Sequence, residues 1–248
     1  MNWKNPLVIA FLAGFLMVTG CGKKSPASQL PPPTGVMGTG VVTGQVSLKG
    51  KIPTPSKISM DADPACQAQH PNPVYDESVV ADAQGDLANA LVYVQTGAAV
   101  YAPPSAPVTL IQKGCLYAPH VFGVQVNQPL DIFNGDPTLH NVHAVAVTNE
   151  GFNVGQNQND KTEQFFAQPE MPVKFKCDVH SWMTCYGGVF THPFFSVTGA
   201  DGHFKITGLP AGDYTLVAWQ EKYGFSEPRK VSLKDGQTQK LDFSFTAP

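Results

Sequence analysis

The amino-acid sequence predicts an all-β chain folded as sandwiches. Three observations lead there. Apolar residues recur with a period of two in segment after segment, down to the C-terminus. The 23 glycines and 22 prolines are spread along 248 residues and cut the chain into short pieces, as many-stranded folds require. After the N-terminus, no long stretch carries clean helical periodicity. Hydrophobic residues, at 42%, can fill a real core, and charged residues, at 14%, fall well below a globular norm of about 25%. The net charge of −3 provides no basic field, so no nucleic acid is expected as a partner.

Residues 1–21 read as a targeting segment. Lys4 supplies positive charge, and an apolar run from Pro6 to Val18 follows. That run is too short for a comfortable membrane span. It ends in Val18-Thr19-Gly20-Cys21, which resembles the lipobox cut by lipoprotein signal peptidase. The resemblance implies lipidation of Cys21 and a periplasmic chain held on the membrane by its N-terminal lipid. Gly22, where Asp would retain the protein at the inner membrane, points to the outer membrane. An ordinary signal peptide or an anchor helix is the alternative reading. Residues 22–40 contain Pro31-Pro32-Pro33 and little that could form a core, so they are expected to be a tether.

The strand signals then follow in order. Val42, Gly44, Val46 and Leu48 alternate with more polar neighbours. Ala90-Leu91-Val92-Tyr93-Val94 is a continuous apolar run, expected to be a central strand. Leu130 and Ile132 share a face. Val173, Phe175 and Cys177 face one way, and Lys174 and Lys176 the other. Phe204 and Ile206 flank Lys205, and Leu241, Phe243 and Phe245 alternate with Asp242 and Ser244.

Near the C-terminus, Thr198-Gly199-Ala200-Asp201-Gly202-His203-Phe204 precedes Gly208-Leu209-Pro210-Ala211-Gly212-Asp213-Tyr214-Thr215-Leu216. Gly202 and Gly212 close turns, and Tyr214 and Leu216 begin an inward-facing strand. The pattern resembles the carboxypeptidase regulatory-like domain, a transthyretin-like β-sandwich. The strands that open that family resemble Val42-Thr43-Gly44-Gln45-Val46 and the segment from Leu87 to Val94, yet more than 100 residues separate Val94 from Thr198. The expected organisation is therefore a split sandwich. Residues 41–97 and 194–248 would build it, with residues 98–193 inserted as a second domain. A plain tandem of domains is the alternative.

The intervening segment carries the sharpest pattern. Tyr117-Ala118-Pro119, Val124-Gln125-Val126 and Leu130-Asp131-Ile132-Phe133-Asn134 lead into Asp136-Pro137-Thr138-Leu139-His140-Asn141-Val142-His143. Val173-Lys174-Phe175-Lys176-Cys177-Asp178-Val179-His180-Ser181-Trp182-Met183 comes later. Over roughly residues 105–193 this resembles the cupredoxins, Greek-key sandwiches that hold one copper ion. That family places a first His in a His-Asn pair, then Cys, His and Met in order on the loop after a strand. Carried over, the copper ligands are His140, Cys177, His180 and, axially, Met183. Asn141 is expected to hydrogen-bond near Cys177.

The chemistry explains the set. One thiolate, two imidazoles and a weak thioether let Cu(I) and Cu(II) share nearly one geometry. The Cys-x2-His-x2-Met loop is shorter than in plastocyanin-like members and lacks the second thiolate of a binuclear site. A mononuclear ion follows, with Met183 the ligand most in question. His143 is three residues from His140, an odd offset that puts it on the other face of a strand. His192 is expected near the domain junction, and His70, His120 and His203 are read as surface or structural.

Cys66 and Cys115 stand in loop-like settings, and a disulfide between them would suit an oxidising compartment. Cys185 is left over, either as a buried thiol or as an alternative partner; a Cys177–Cys185 bond would remove the thiolate. The expected function is electron transfer between unidentified periplasmic redox partners by a membrane-tethered copper protein. The alternatives are a copper carrier or sensor, and a structural or carbohydrate-interacting lipoprotein. No Ser/His/Asp set, paired carboxylates or phosphate loop points to an enzyme.

Overall fold

The computed structural model describes residues 30–247, together with Met1. The targeting segment, including Cys21, lies outside the described residues, as do residues 22–29 of the tether. The rest of that tether is not free. Thr34 and Gly35 donate N–H groups to the Val100 carbonyl at 3.0 and 2.8 Å, and Gly38 donates to Gly208 at 2.8 Å. Backbone hydrogen bonds dock this Pro-rich strip, with Leu30 packed on the core of the copper-candidate region; its few apolar residues are why composition alone read it as a linker.

The described chain is almost entirely β. In order come β1 (Gly40–Lys49), α1 (Pro64–Gln67), β2 (Leu91–Thr96), β3 (Val108–Lys113), β4 (Leu116–Ala118), β5 (Val121–Gln125) and β6 (Leu130–Asn134). Then come β7 (His140–Val145), β8 (Phe152–Gln156), β9 (Lys161–Gln164), β10 (Glu170–Lys176), β11 (Thr184–Phe190) and β12 (Phe195–Val197). The last are β13 (His203–Leu209), β14 (Gly212–Gln220), β15 (Gly224–Phe225), β16 (Arg229–Leu233), β17 (Thr238–Lys240) and β18 (Phe243–Thr246).

These strands form two sandwiches. In the first, β1 lies antiparallel to β13, with Gly44 opposite Phe204, and parallel to β17 and β18. The facing sheet runs β12-β2-β14-β15, with β16 also on β14. Strands on both sides of the middle of the chain thus share each sheet. Val42, Val46, Val92, Val94, Phe204, Ile206, Leu216 and Phe243 fill the space between. The second sandwich pairs β4-β3-β6-β9 with β5-β11-β10-β7-β8, a Greek-key arrangement of non-consecutive neighbours. Its core includes Leu110, Val124, Leu130, Ile132, Val173 and Phe175.

The sandwiches are themselves stacked. Along β2, Val92 and Val94 face the first core, while Leu91 and Tyr93 face a third apolar layer. Val217 and Trp219 of β14 and Val121 and Phe190 from the second sandwich complete that layer. This explains the unbroken Ala90–Val94 run. A strand buried on both faces has no polar side to alternate with. Close approach is allowed by Gly188, where an added Cβ would come within 2.7 Å of Leu91.

Residues 58–74 depart from the expected partition. They sit within the 41–97 span read as part of the first sandwich, yet Ile58, Met60, Cys66 and Val74 pack on the second core. In that segment Asp63 caps α1, accepting from the Ala65 and Cys66 N–H groups at 2.8 and 3.3 Å. Pro64 follows the cap, where its missing N–H costs nothing.

Candidate metal centre

Two neighbouring strands of one sheet of the second sandwich, β7 and β10, bring the candidate residues together at one end. His140 opens β7, and Cys177 directly follows β10. The loop between β10 and β11 closes on itself. Cys177 N–H donates to the Met183 carbonyl at 3.1 Å, and Met183 N–H donates to the His180 carbonyl at 2.9 Å. His180 N–H points at the Cys177 sulfur at 3.4 Å. Asn141 fixes this loop from β7. Its Oδ1 accepts from Asp178 N–H at 2.7 Å and lies 3.3 Å from Cys177 Sγ.

His140 Nδ1 and His180 Nδ1 are 2.9 Å apart, and Cys177 Sγ is 3.8 Å from His180 Nδ1. One donor atom from each of the three residues lies within 4.8 Å of the others. The side chains are enclosed, with exposures of 0% for His140, 3% for Cys177 and 2% for His180. Met183 is fully buried in the adjoining core, and its backbone closes the ligand loop.

Each imidazole is held from behind. His140 Nε2 meets Asp136 Oδ2 at 2.9 Å, and His180 Nε2 meets Asp63 Oδ2 at 2.8 Å. Carboxylates accept, so each Nε2 carries a proton, and a neutral ring presents its Nδ1 lone pair inward. Two lone pairs facing each other at this distance repel unless a cation or a shared proton lies between them. The thiol is also prepared. Burial opposes ionisation of Cys177, but hydrogen bonding to His140 and to the loop around it carries its pKa down to about 6. Burial likewise works against charge on His140, yet Asp136 and Cys177 raise its pKa to about 9. Burial would raise the Asp136 pKa, but His140 and the Cys115 and Gly114 N–H groups bring it down to about 2. A buried thiolate, two inward lone pairs and a proton in their midst fit a soft-to-borderline metal cation that displaces that proton.

Cys66 and Cys115 are bonded, with S–S 1.97 Å and Cα–Cα 5.5 Å. The bridge abuts the centre. Cys66 groups within 4.8 Å with Asp63 and His180, and Cys115 groups likewise with Asp136 and His140. Trp182 donates its Nε1–H to the Cys115 carbonyl at 3.0 Å and lays its ring 5.1 Å from His180. Cys177 and Cys185 are both free and buried.

The other histidines stand elsewhere. His143 points away and contacts Asp178 Oδ2 at 3.0 Å. His192 donates to the Val94 carbonyl at 2.9 Å, at the junction of the sandwiches. His70 contacts the Gly114 carbonyl, and His203 contacts Asp201. His120 is half-buried and bridges to Glu221 at 2.7 Å, a structural role.

Sequence reasoning missed both carboxylates. Asp136 was within reach, four residues before His140. Asp63 lies 117 residues from His180 and carries only a local signal, an Asp before Pro that marks a helix start.

Residues 191–246 match the family described as carboxypeptidase regulatory-like domain. No curated protein sequence matches the chain. Among solved structures, the copper-containing nitrite reductase of Thermus scotoductus SA-01 aligns at 21% identity and TM-score 0.32. The alignment covers 40% of this chain and spans only 25% of the reductase. A purple cupredoxin from Nitrosopumilus maritimus aligns at 21% identity and TM-score 0.29, over 33% of this chain and 98% of that one. A Cu(I) amicyanin variant aligns at 15% identity and TM-score 0.31, over 40% and 97%. The chain carries a carboxypeptidase regulatory-like segment in an all-β architecture, and part of it aligns with these cupredoxin structures. The copper in those names belongs to those proteins.

Proposed function

We propose that this chain is a mononuclear copper protein that transfers electrons, with a cupredoxin-like domain inserted into a split transthyretin-like sandwich. The observation that carries this reading is the buried convergence of Cys177 Sγ, His140 Nδ1 and His180 Nδ1 within 4.8 Å. His140, His180 and Cys177 would hold the ion, with Met183 as the further ligand. When bound, copper supplies a one-electron couple. Everything else falls to the chain. Asp136 and Asp63 keep each Nε2 protonated, and Asn141 with the closed loop keeps the sulfur in place. A site that cannot rearrange favours fast electron exchange over metal release. The enclosure argues against a carrier, which needs exchangeable ligands. Tethering through lipidated Cys21, in the periplasm and at the outer membrane, with redox proteins as partners, belongs to the same proposal.

The test is a copper titration of the oxidised protein followed by its optical spectrum. One equivalent should bring up an intense thiolate-to-copper band that Cys177→Ser removes. Stoichiometric copper with no such band would overturn electron transfer and favour a structural role.

A further inference from the structure

The geometry points to Asp63 as a positioning residue for His180, delivered to the metal centre by a segment that packs on the second core but supplies no strand to either sandwich. This rests on the copper reading but concerns a residue outside the set of expected ligands and their partner Asn141. Asp63 stands between β1 and β2, far in sequence from the strands that carry the ligands. Its two carboxylate oxygens divide the work. Oδ1 caps α1 through Ala65 and Cys66. Oδ2 accepts from His180 Nε2 at 2.8 Å and from Thr138 Oγ1 at 3.2 Å. Three anchors hold the segment against the centre: the Cys66–Cys115 bridge, Met60 in the second core, and the Thr138 hydroxyl two residues before His140.

The consequence is chemical. An imidazole alone in a loop exchanges its proton between Nδ1 and Nε2 and rotates about its side-chain bonds. A carboxylate fixed behind Nε2 allows one tautomer and one ring orientation, with the Nδ1 lone pair aimed at Cys177 and His140. It also makes the nitrogen a stronger donor, which favours the more highly charged metal state. Asp63 is 21% exposed at its side chain, against 3% for His180, so it also screens the ring from solvent.

Substitutions separate this role from helix capping. Asp63→Asn keeps a good cap but removes the charge. Asp63→Ser caps equally well but is too short to reach His180. Asp63→Glu restores the charge. The first measurement is the ¹⁵N–¹H spectrum of the imidazoles in metal-free protein. Wild type should show an exchange-protected proton on His180 Nε2, and Asp63→Ser should lose that protection and mix the tautomers. The second is copper(II) affinity and reduction potential. Asp63→Asn should bind copper(II) about 10- to 100-fold more weakly. Its potential should be raised, with Asp63→Glu nearer wild type. A His180 ring with no proton on Nε2 in wild type, or an unchanged Nε2–H signal in Asp63→Ser, overturns the inference. So does an Asp63→Asn protein matching wild type in both affinity and potential. Wild-type protein that takes up no copper would sink the proposed function instead, and the tautomer measurement would still decide this inference.

Discussion

At the scale of single residues, burial and hydrogen bonding set what each group can do. Met183 is fully enclosed beside the ligand loop. Met183→Leu preserves volume and removes only the thioether, so the protein should still bind copper while its reduction potential rises. Redox titration with optical detection checks this, and an unchanged potential would place the sulfur outside the ion's reach. His192 obeys a different balance. Burial between the sandwiches pushes its pKa down to about 4, and its hydrogen bond to the Val94 carbonyl offsets this only in part. The folded value lies below the unfolded one, so this neutral ring stabilises the fold fully above about pH 6.5. That contribution fades as pH falls toward 4, by up to about 3 kcal/mol. Denaturant unfolding at stepped pH should show a shallower acid loss in His192→Gln than in wild type. Parallel curves for the two proteins would mean that His192 does not titrate this way. The residues that face each other at the centre were legible because their order along the chain is itself the motif. Asp63 was not, because its partner is fixed only by folding.

At the scale of elements, β1 is the strand that joins one whole sheet of the first sandwich. It pairs with β17 through Thr43 and with β18 from Val46 onward, and Gly44 sits at the changeover. A Cβ there would come within 1.9 Å of the Leu241 carbonyl oxygen, a backbone atom that cannot swing aside. Gly44→Ala should therefore destabilise the protein by at least about 2 kcal/mol, as overpacking does in close-packed interiors. The unfolding midpoint measures it, and a loss under about 0.5 kcal/mol would show that β17 and β18 can shift apart. The alternation that marks β1, β10 and β13 could be read directly, since one face of each meets a core. The Ala90–Val94 run announced a central strand without saying what covers its second face. Residues 58–74 were placed with the wrong neighbour because their apolar positions are too sparse to reveal a period.

At the scale of the whole molecule, the shared apolar layer matters most. Leu91, Tyr93, Val217 and Trp219 from one sandwich meet Val121 and Phe190 from the other, and Trp219 lies 5.1 Å from Tyr186 across the contact. Neither sandwich could keep its facing sheet in water without exposing these side chains. Calorimetry should thus record one unfolding transition. Trp219→Ala should lower the stability of the entire protein by roughly 3–5 kcal/mol rather than detach one peak. Two resolved transitions would show that the sandwiches unfold independently. Composition revealed that two cores could exist, and family-like patterns at both ends of the chain suggested that one was split. The stacking itself was invisible, because a layer between sheets draws on residues scattered across four strands.

The pairing of Gly40 with Leu209 and of Val46 with Phe243 has a consequence for synthesis. When β1 leaves the ribosome, none of its three partner strands has yet been made. The second sandwich can close first, but the first must wait until β18 has been made. Such distant pairing is slow to nucleate and leaves an unpaired edge in the meantime. A chain of this topology therefore spends its nascent life half assembled, and β17 and β18 act as the clasp that commits β1.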